Sequence, residues 1–109
     1  MVELFIDDER NPPKREGVVY DVVRSSSAAL GKLNDPERHY DAIWFDHDLG
    51  GDDTTIPVLD RLSEMAFNGN PYPVSVIYVH TANPVGRKTI ISSLTRWGYS
   101  YKISNYYMQ

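Results

Sequence analysis

Leu4-Phe5-Ile6-Asp7-Asp8 is a short apolar run halted by two adjacent carboxylates, and the pattern returns twice along the chain. Ala42-Ile43-Trp44-Phe45 runs into Asp46-His47-Asp48, and Val74 to Val79 runs into His80-Thr81. Short apolar runs with such abrupt polar ends read as buried strands. In an open parallel α/β sheet, ligands bind in the crevice outside the carboxyl ends of the strands. Adjacent strands lie about 4.8 Å apart, so Asp7, Asp8, Asp46, His47, Asp48 and His80 are expected on one rim. That much like charge calls for a cation or for shared protons.

Working outward, Glu9 to Gly17 is a polar loop with Pro12 and Pro13, and Val18 to Val23 is a second strand. Ser25-Ser26-Ser27 offers an N-cap to a helix over Ala28 to Leu33, which Asn34-Asp35-Pro36 closes. Leu49 to Thr55 reads as a flexible loop. Ile56, Leu59, Leu62, Met65 and Ala66 then recur at helical spacing, with Asp60, Arg61 and Glu64 outward, until Asn68-Gly69-Asn70-Pro71. Asn83 caps a helix beginning at Pro84, with Ile90, Ile91, Leu94 and Trp97 on one face and Gly98 at its end. Tyr99 to Ile103 is a last strand. Strands alternating with helices predict an α/β fold with a mainly parallel sheet. The expected architecture is a single three-layer domain over 1–109, flavodoxin-type, with five strands in the order 2-1-3-4-5. The first connection, about ten residues, is at the lower limit for a parallel crossover. No helix fits after Ile103, so the first and last helices are expected to be reduced or absent.

At 109 residues, 41% apolar and 24% charged, the composition is that of an ordinary globular domain. The net charge of −4 makes the chain as a whole no trap for nucleic acid, and no DNA partner is expected. Cysteine is absent, which excludes disulfides, thiolate metal sites and thiol nucleophiles and fits a reducing compartment. The start lacks the basic residues and long apolar core of a signal peptide. No run approaches the roughly 20 apolar residues of a membrane span. A cytoplasmic protein without membrane association is expected, and the sequence leaves the oligomeric state open.

Asp8 and Asp46 are the best candidates for an inward pair of carboxylates, with Asp7 or Asp48 as further cation ligands. Oxygen ligands suit Mg²⁺ or Ca²⁺, whereas a contribution from His47 or His80 opens the way to Mn²⁺, Fe²⁺ or Zn²⁺. Imidazole titrates near neutral pH, so either histidine is also a candidate acid or base. Asn83-Pro84-Val85-Gly86-Arg87-Lys88 places a helix N-terminus at the same crevice, where free N–H groups favour an anion. Arg87 offers a fork for phosphate, Gly86 room for close approach, and Arg10 an extension of the positive rim. Plainer readings stand beside these: solvated loop carboxylates, a hydrogen-bonded structural histidine and an ordinary capped helix. Tyr99, Tyr101, Tyr106 and Tyr107 suit either base stacking or strand packing.

The paired acids, the Asp after the third strand and Thr81-Ala82 after the fourth resemble a response-regulator receiver domain. By that resemblance Asp7 and Asp8 hold Mg²⁺, Asp46 accepts phosphate and Thr81 contacts the phosphoryl group. Glu9-Arg10-Asn11-Pro12-Pro13 replaces the receiver's first helix, and Lys102 lies too close to Gly98 and precedes Ile103 instead of proline. A closer resemblance is to the cyclic-phosphate-processing receiver-like domains. Their three motifs stand here as Leu4-Phe5-Ile6-Asp7-Asp8-Glu9-Arg10-Asn11-Pro12, Asp46-His47-Asp48-Leu49-Gly50 and His80-Thr81-Ala82-Asn83-Pro84-Val85-Gly86. The resemblance implies a divalent-metal-dependent phosphoesterase acting on cyclic phosphate of RNA ends or nucleotides, with Mg²⁺ or Mn²⁺. Its partners are then an RNA end or a phosphate-containing small molecule. Asp46, His47 and His80 are the expected catalytic residues. Arg10, Thr81, Asn83, Gly86 and Arg87 are expected on phosphate, and Asp7, Asp8, Asp46 and Asp48 on the metal. The alternatives are a divergent receiver phosphorylated on Asp46 and acting by protein contact, or a non-catalytic binder of cyclic nucleotides.

Overall fold

The three apolar runs lie side by side as β1 (Val2–Ile6), β3 (Ala42–Phe45) and β4 (Val76–Val79). β2 (Val19–Val23) and β5 (Tyr101–Ile103) flank them, and the order is β2-β1-β3-β4-β5. Every pairing is parallel. The register sets Ile6 beside Phe45 and Phe45 beside Val79, so the residues that follow these strands share one level at the rim. The computed structural model describes residues 1–104; Tyr106, Tyr107 and any helix after Ser104 lie outside the described residues.

The helices are α1 (Ser26–Leu33), α2 (Ile56–Phe67) and α3 (Pro84–Arg96). Parallel crossovers are right-handed, and the steps β2→β3, β3→β4 and β4→β5 all move across the sheet in one direction. All three helices therefore fall on one face, where α1 packs on α2 and α2 on α3. Leu4, Ile6, Ile43, Phe45, Ile77 and Val79 form a single core there with Leu33, Leu59, Leu62, Ile90 and Leu94.

The step β1→β2 runs the opposite way, so its connector, residues 7–18, falls on the other face. Among the described residues no helix covers that face, and an extended segment lies there, in line with the expected reduction of the first helix. Phe5, Trp44 and Tyr78 point into it, with Trp44 stacked on Tyr78 at 4.2 Å between ring centroids. Arg15 from the connector lies across Tyr20, Trp44 and Tyr78 and pairs with buried Glu3. Glu3 also accepts a hydrogen bond from the Trp44 indole. A cation over ring faces, with a carboxylate behind it, does here what a helix does on the opposite face.

Element ends shift slightly from the sequence reading. β4 starts at Val76, not Val74, because the Val74 N–H turns back to Tyr72 O and that of Ser75 goes to Asp41 O. β5 starts at Tyr101 because Tyr99 closes α3 through its N–H to Leu94 O and donates its hydroxyl to Leu62 O. The Leu49–Thr55 loop, read as flexible, is tied by hydrogen bonds: Leu49 N–H bonds Asp53 O, and the Asp53 carboxylate takes both the N–H and the hydroxyl of Ser26. No helix among the described residues is long and apolar enough to cross a membrane.

Candidate cation and phosphate site

The carboxyl ends of β1 and β3 bring Asp7, Asp8 and Asp46 together, one oxygen from each within 4.8 Å of the others. Strand alternation assigns their directions. Asp7 follows Phe5 by two residues, Asp46 follows Trp44 and His80 follows Tyr78, so all three extend from the face that Arg15 covers. Asp7 is fully buried. Its Oδ1 accepts from the N–H groups of Glu9 and Arg10, both at 2.9 Å, and its Oδ2 meets His80 Nε2 at 3.1 Å. Burial alone would raise the Asp7 pKa, but the hydrogen bonds from His80, Arg10 and Glu9 outweigh it and hold the carboxyl well below its usual range.

Asp46 moves the other way. Burial first, then the negative charge of Asp7, push its carboxyl above the ordinary value, against the counter-pull of His80, the Thr81 hydroxyl and Arg10. Arg10 lies beside both carboxylates, its Nη1 standing 3.6 Å from Asp7 Oδ2 and 3.9 Å from Asp46 Oδ2. Arg24, which the sequence reading passed over, holds this segment. Its guanidinium donates to the carbonyl oxygens of Asp7 and Arg10 and to Asn11 Oδ1. Asp8 rests against Gly50, where a Cβ would stand 3.3 Å from Asp8 Oδ2 at a φ of +89°, so glycine serves there twice.

A cleft of about 200 Å³ opens over the cluster, lined by Asp8, Glu9, Arg10, Asp46, Asp48, Thr81, Ala82 and Asn83. Five of the expected residues thus share one wall with Asp8: Arg10, Asp46, Asp48, Thr81 and Asn83. The others stand outside it. His80 is completely buried behind Asp7. His47 turns its Nδ1 to Asp48 Oδ1 at 3.0 Å, and Asp48 Oδ2 accepts from the Asn83 side-chain amide at 3.1 Å. These two contacts, Asn83 first, lower the Asp48 pKa. Each histidine therefore backs an aspartate, and the expected role of imidazole as a direct contact in the cleft is not what the geometry provides.

Two further expectations are corrected. The start of α3 is not an open anion nest, because the Asn83 side chain accepts from the N–H groups of Val85 and Gly86, while the Arg87 N–H goes to Asn83 O. Gly86 leaves no room for a ligand, because the His47 ring occupies it: a Cβ on Gly86 would lie 2.3 Å from His47 Cγ. Arg87 is outside the cleft wall.

The donor set fits a hard divalent cation. Asp7 has both oxygens committed to protein donors, whereas Asp8 and Asp46 face the cleft with Arg10 as a distant counter-charge. With His47 and His80 turned to aspartates, the donors facing the cleft are oxygens, the set that suits Mg²⁺, Ca²⁺ or Mn²⁺. Residues 2–96 match the family model described as the cyclic-phosphate processing receiver domain. No curated protein and no solved structure matches the chain.

Proposed function

The chain belongs to the cyclic-phosphate processing receiver domain family, and from that premise we propose that it is a divalent-metal-dependent phosphoesterase acting on the cyclic phosphate of RNA ends or nucleotides. The observation that carries this reading is the convergence of Asp7, Asp8 and Asp46 beneath a cleft whose wall also holds Arg10 and Thr81. Asp8 and Asp46 hold the cation, and Mg²⁺ or Mn²⁺, when bound, neutralises charge on the phosphoryl oxygens. Arg10 and the Thr81 hydroxyl contact the phosphoryl group, and the Asn83 amide, anchored on Asp48, borders it. At about 200 Å³ the cleft is smaller than typical ligand pockets of roughly 300–1,000 Å³, which suits a phosphate and its ribose with the rest of the ligand projecting. In the reaction a water oxygen adds to phosphorus and one ring P–O bond breaks. One of the water's protons ends on the released ribose oxygen and the other stays on the phosphate or passes to solvent, leaving a phosphomonoester.

The test is an oligoribonucleotide ending in a 2′,3′-cyclic phosphate, incubated with the protein and Mg²⁺ or Mn²⁺. Ring opening, read as the gain of one water by mass, is expected for wild type and is lost in Asp46→Ala. No ring opening with any of several metals at high protein concentration contradicts the reading. A receiver phosphorylated on Asp46 is the second reading, favoured by the Thr81 hydroxyl against Asp46. Lys102 counts against it, since its register opposite Tyr78 leaves it two residues short of the rim. A gain of one phosphoryl group from a small phosphodonor, without turnover, is the result that favours it.

A further inference from the structure

His80 is the buried titratable group to which the proposed reaction gives no task. It has no solvent exposure. Its ring stacks on Phe5 with centroids 5.0 Å apart and meets Trp44 at 5.8 Å. Among the described residues its Nδ1 has no hydrogen-bond partner, while Nε2 faces Asp7 Oδ2 at 3.1 Å. An orphaned buried N–H is rarer than an orphaned acceptor, so the tautomer that suits this setting carries its proton on Nε2 and donates it to Asp7.

Asp7 is thereby gripped from both sides. The N–H groups of Glu9 and Arg10 fix Oδ1, and with it the turn that carries Asp8 and Arg10. His80 fixes Oδ2, and with it the rotation of the carboxylate. Stacking on Phe5 and Trp44 holds the imidazole in turn. Without the Nε2 donor, the Asp7 carboxylate can rotate against Asp46, adding like charge where the cation belongs.

We propose that His80 is a positioning residue, acting through Asp7 to keep the Asp8–Asp46 pair in cation-binding geometry, and that it exchanges no proton with substrate. The proposal rests on the cation reading above but not on turnover, so the two fail separately. Outer partners of this kind, when removed, cost roughly 10–100-fold in metal affinity.

The test measures Mn²⁺ affinity by electron paramagnetic resonance for wild type, His80→Leu and His80→Gln, with thermal unfolding of each. His80→Leu is expected to bind Mn²⁺ about 10–100-fold more weakly. His80→Gln, which restores an N–H donor toward Asp7, is expected to recover most of that loss and to keep ring-opening activity. A folded His80→Leu with wild-type Mn²⁺ affinity overturns the proposal. So does a His80→Gln that binds Mn²⁺ normally but no longer turns over, since that marks a proton-transfer group. Should His80→Leu fail to fold, the glutamine variant decides by the same two readouts. Wild type that binds no Mn²⁺ overturns both the proposal and the cation reading. Normal binding without turnover contradicts only the reaction.

Discussion

Asp46 carries opposed demands, because the carboxylate assigned to a cation under the proposed function is one whose charged form is disfavoured in the metal-free fold. Its folded pKa lies above its unfolded one, through burial and the charge of Asp7. Stability therefore falls as pH rises from the ordinary carboxylate value through the raised one. Asp7 has the opposite sign: its depressed pKa means stability that is present above the ordinary value and is lost in strong acid. In EDTA at pH 7, Asp46→Asn is expected to be more stable than wild type to urea by about 1 kcal/mol. The gap narrows as pH falls through that window. Saturating Mg²⁺ reverses the order, since a cation at a hundredfold its Kd contributes about 2.7 kcal/mol to the form that binds it. A metal-free Asp46→Asn no more stable than wild type contradicts the electrostatic account. The acids themselves were legible as strand terminators. Strand alternation sends Asp7, Asp46 and His80 to one side, each two residues beyond Phe5, Trp44 or Tyr78, whereas the sequence reading pairs Asp8 with Asp46 and leaves the histidines' facing open. The hydrogen bonds were not legible, since they depend on which donors the turn after Asp7 delivers.

Among the elements, α3 shows best how a correct boundary can mislead about chemistry. Asn83 and Pro84 mark its start in sequence and structure alike. An N-cap that fills the first donors removes the anion nest that the same signal suggests. The vacancy at Gly86 is likewise taken, and His47 locks the loop after β3 against α3. Gly86→Ala is expected to cost about 1–3 kcal/mol, as overpacking does, measured by chemical denaturation. Adding His47→Ala should recover most of it, whereas additive losses would mean that the ring and the glycine do not meet. The tyrosines are a second case. Tyr40 N–H donates to the Tyr72 hydroxyl and Tyr72 N–H to the Tyr99 hydroxyl, tying the ends of α2 and α3 to the turn before β3. Periodicity carries no trace of such links, so Tyr99 reads as strand from sequence alone.

For the molecule as a whole, strand order and crossover handedness decide where everything lies. Once the order 2-1-3-4-5 is read, the single reversed step after β1 dictates that its connector crosses the face away from the helices. The polar, proline-bearing stretch Glu9 to Gly17 marks that connector as a loop in the sequence, which is why the first helix is expected to be reduced. The same reversal brings the ends of β1 and β3 together as neighbours and so builds the acidic cluster. A chain of net charge −4 gathers three carboxylates at one rim, with Arg10 near two of them, and the proposed function answers that like charge with a divalent cation. The measurement that reaches this claim most directly is isothermal titration of Mg²⁺ and Mn²⁺ into the metal-free protein. One site per chain is expected in wild type, abolished in Asp8→Ala and in Asp46→Ala. Absence of binding in wild type, or unchanged binding in both variants, would contradict the account.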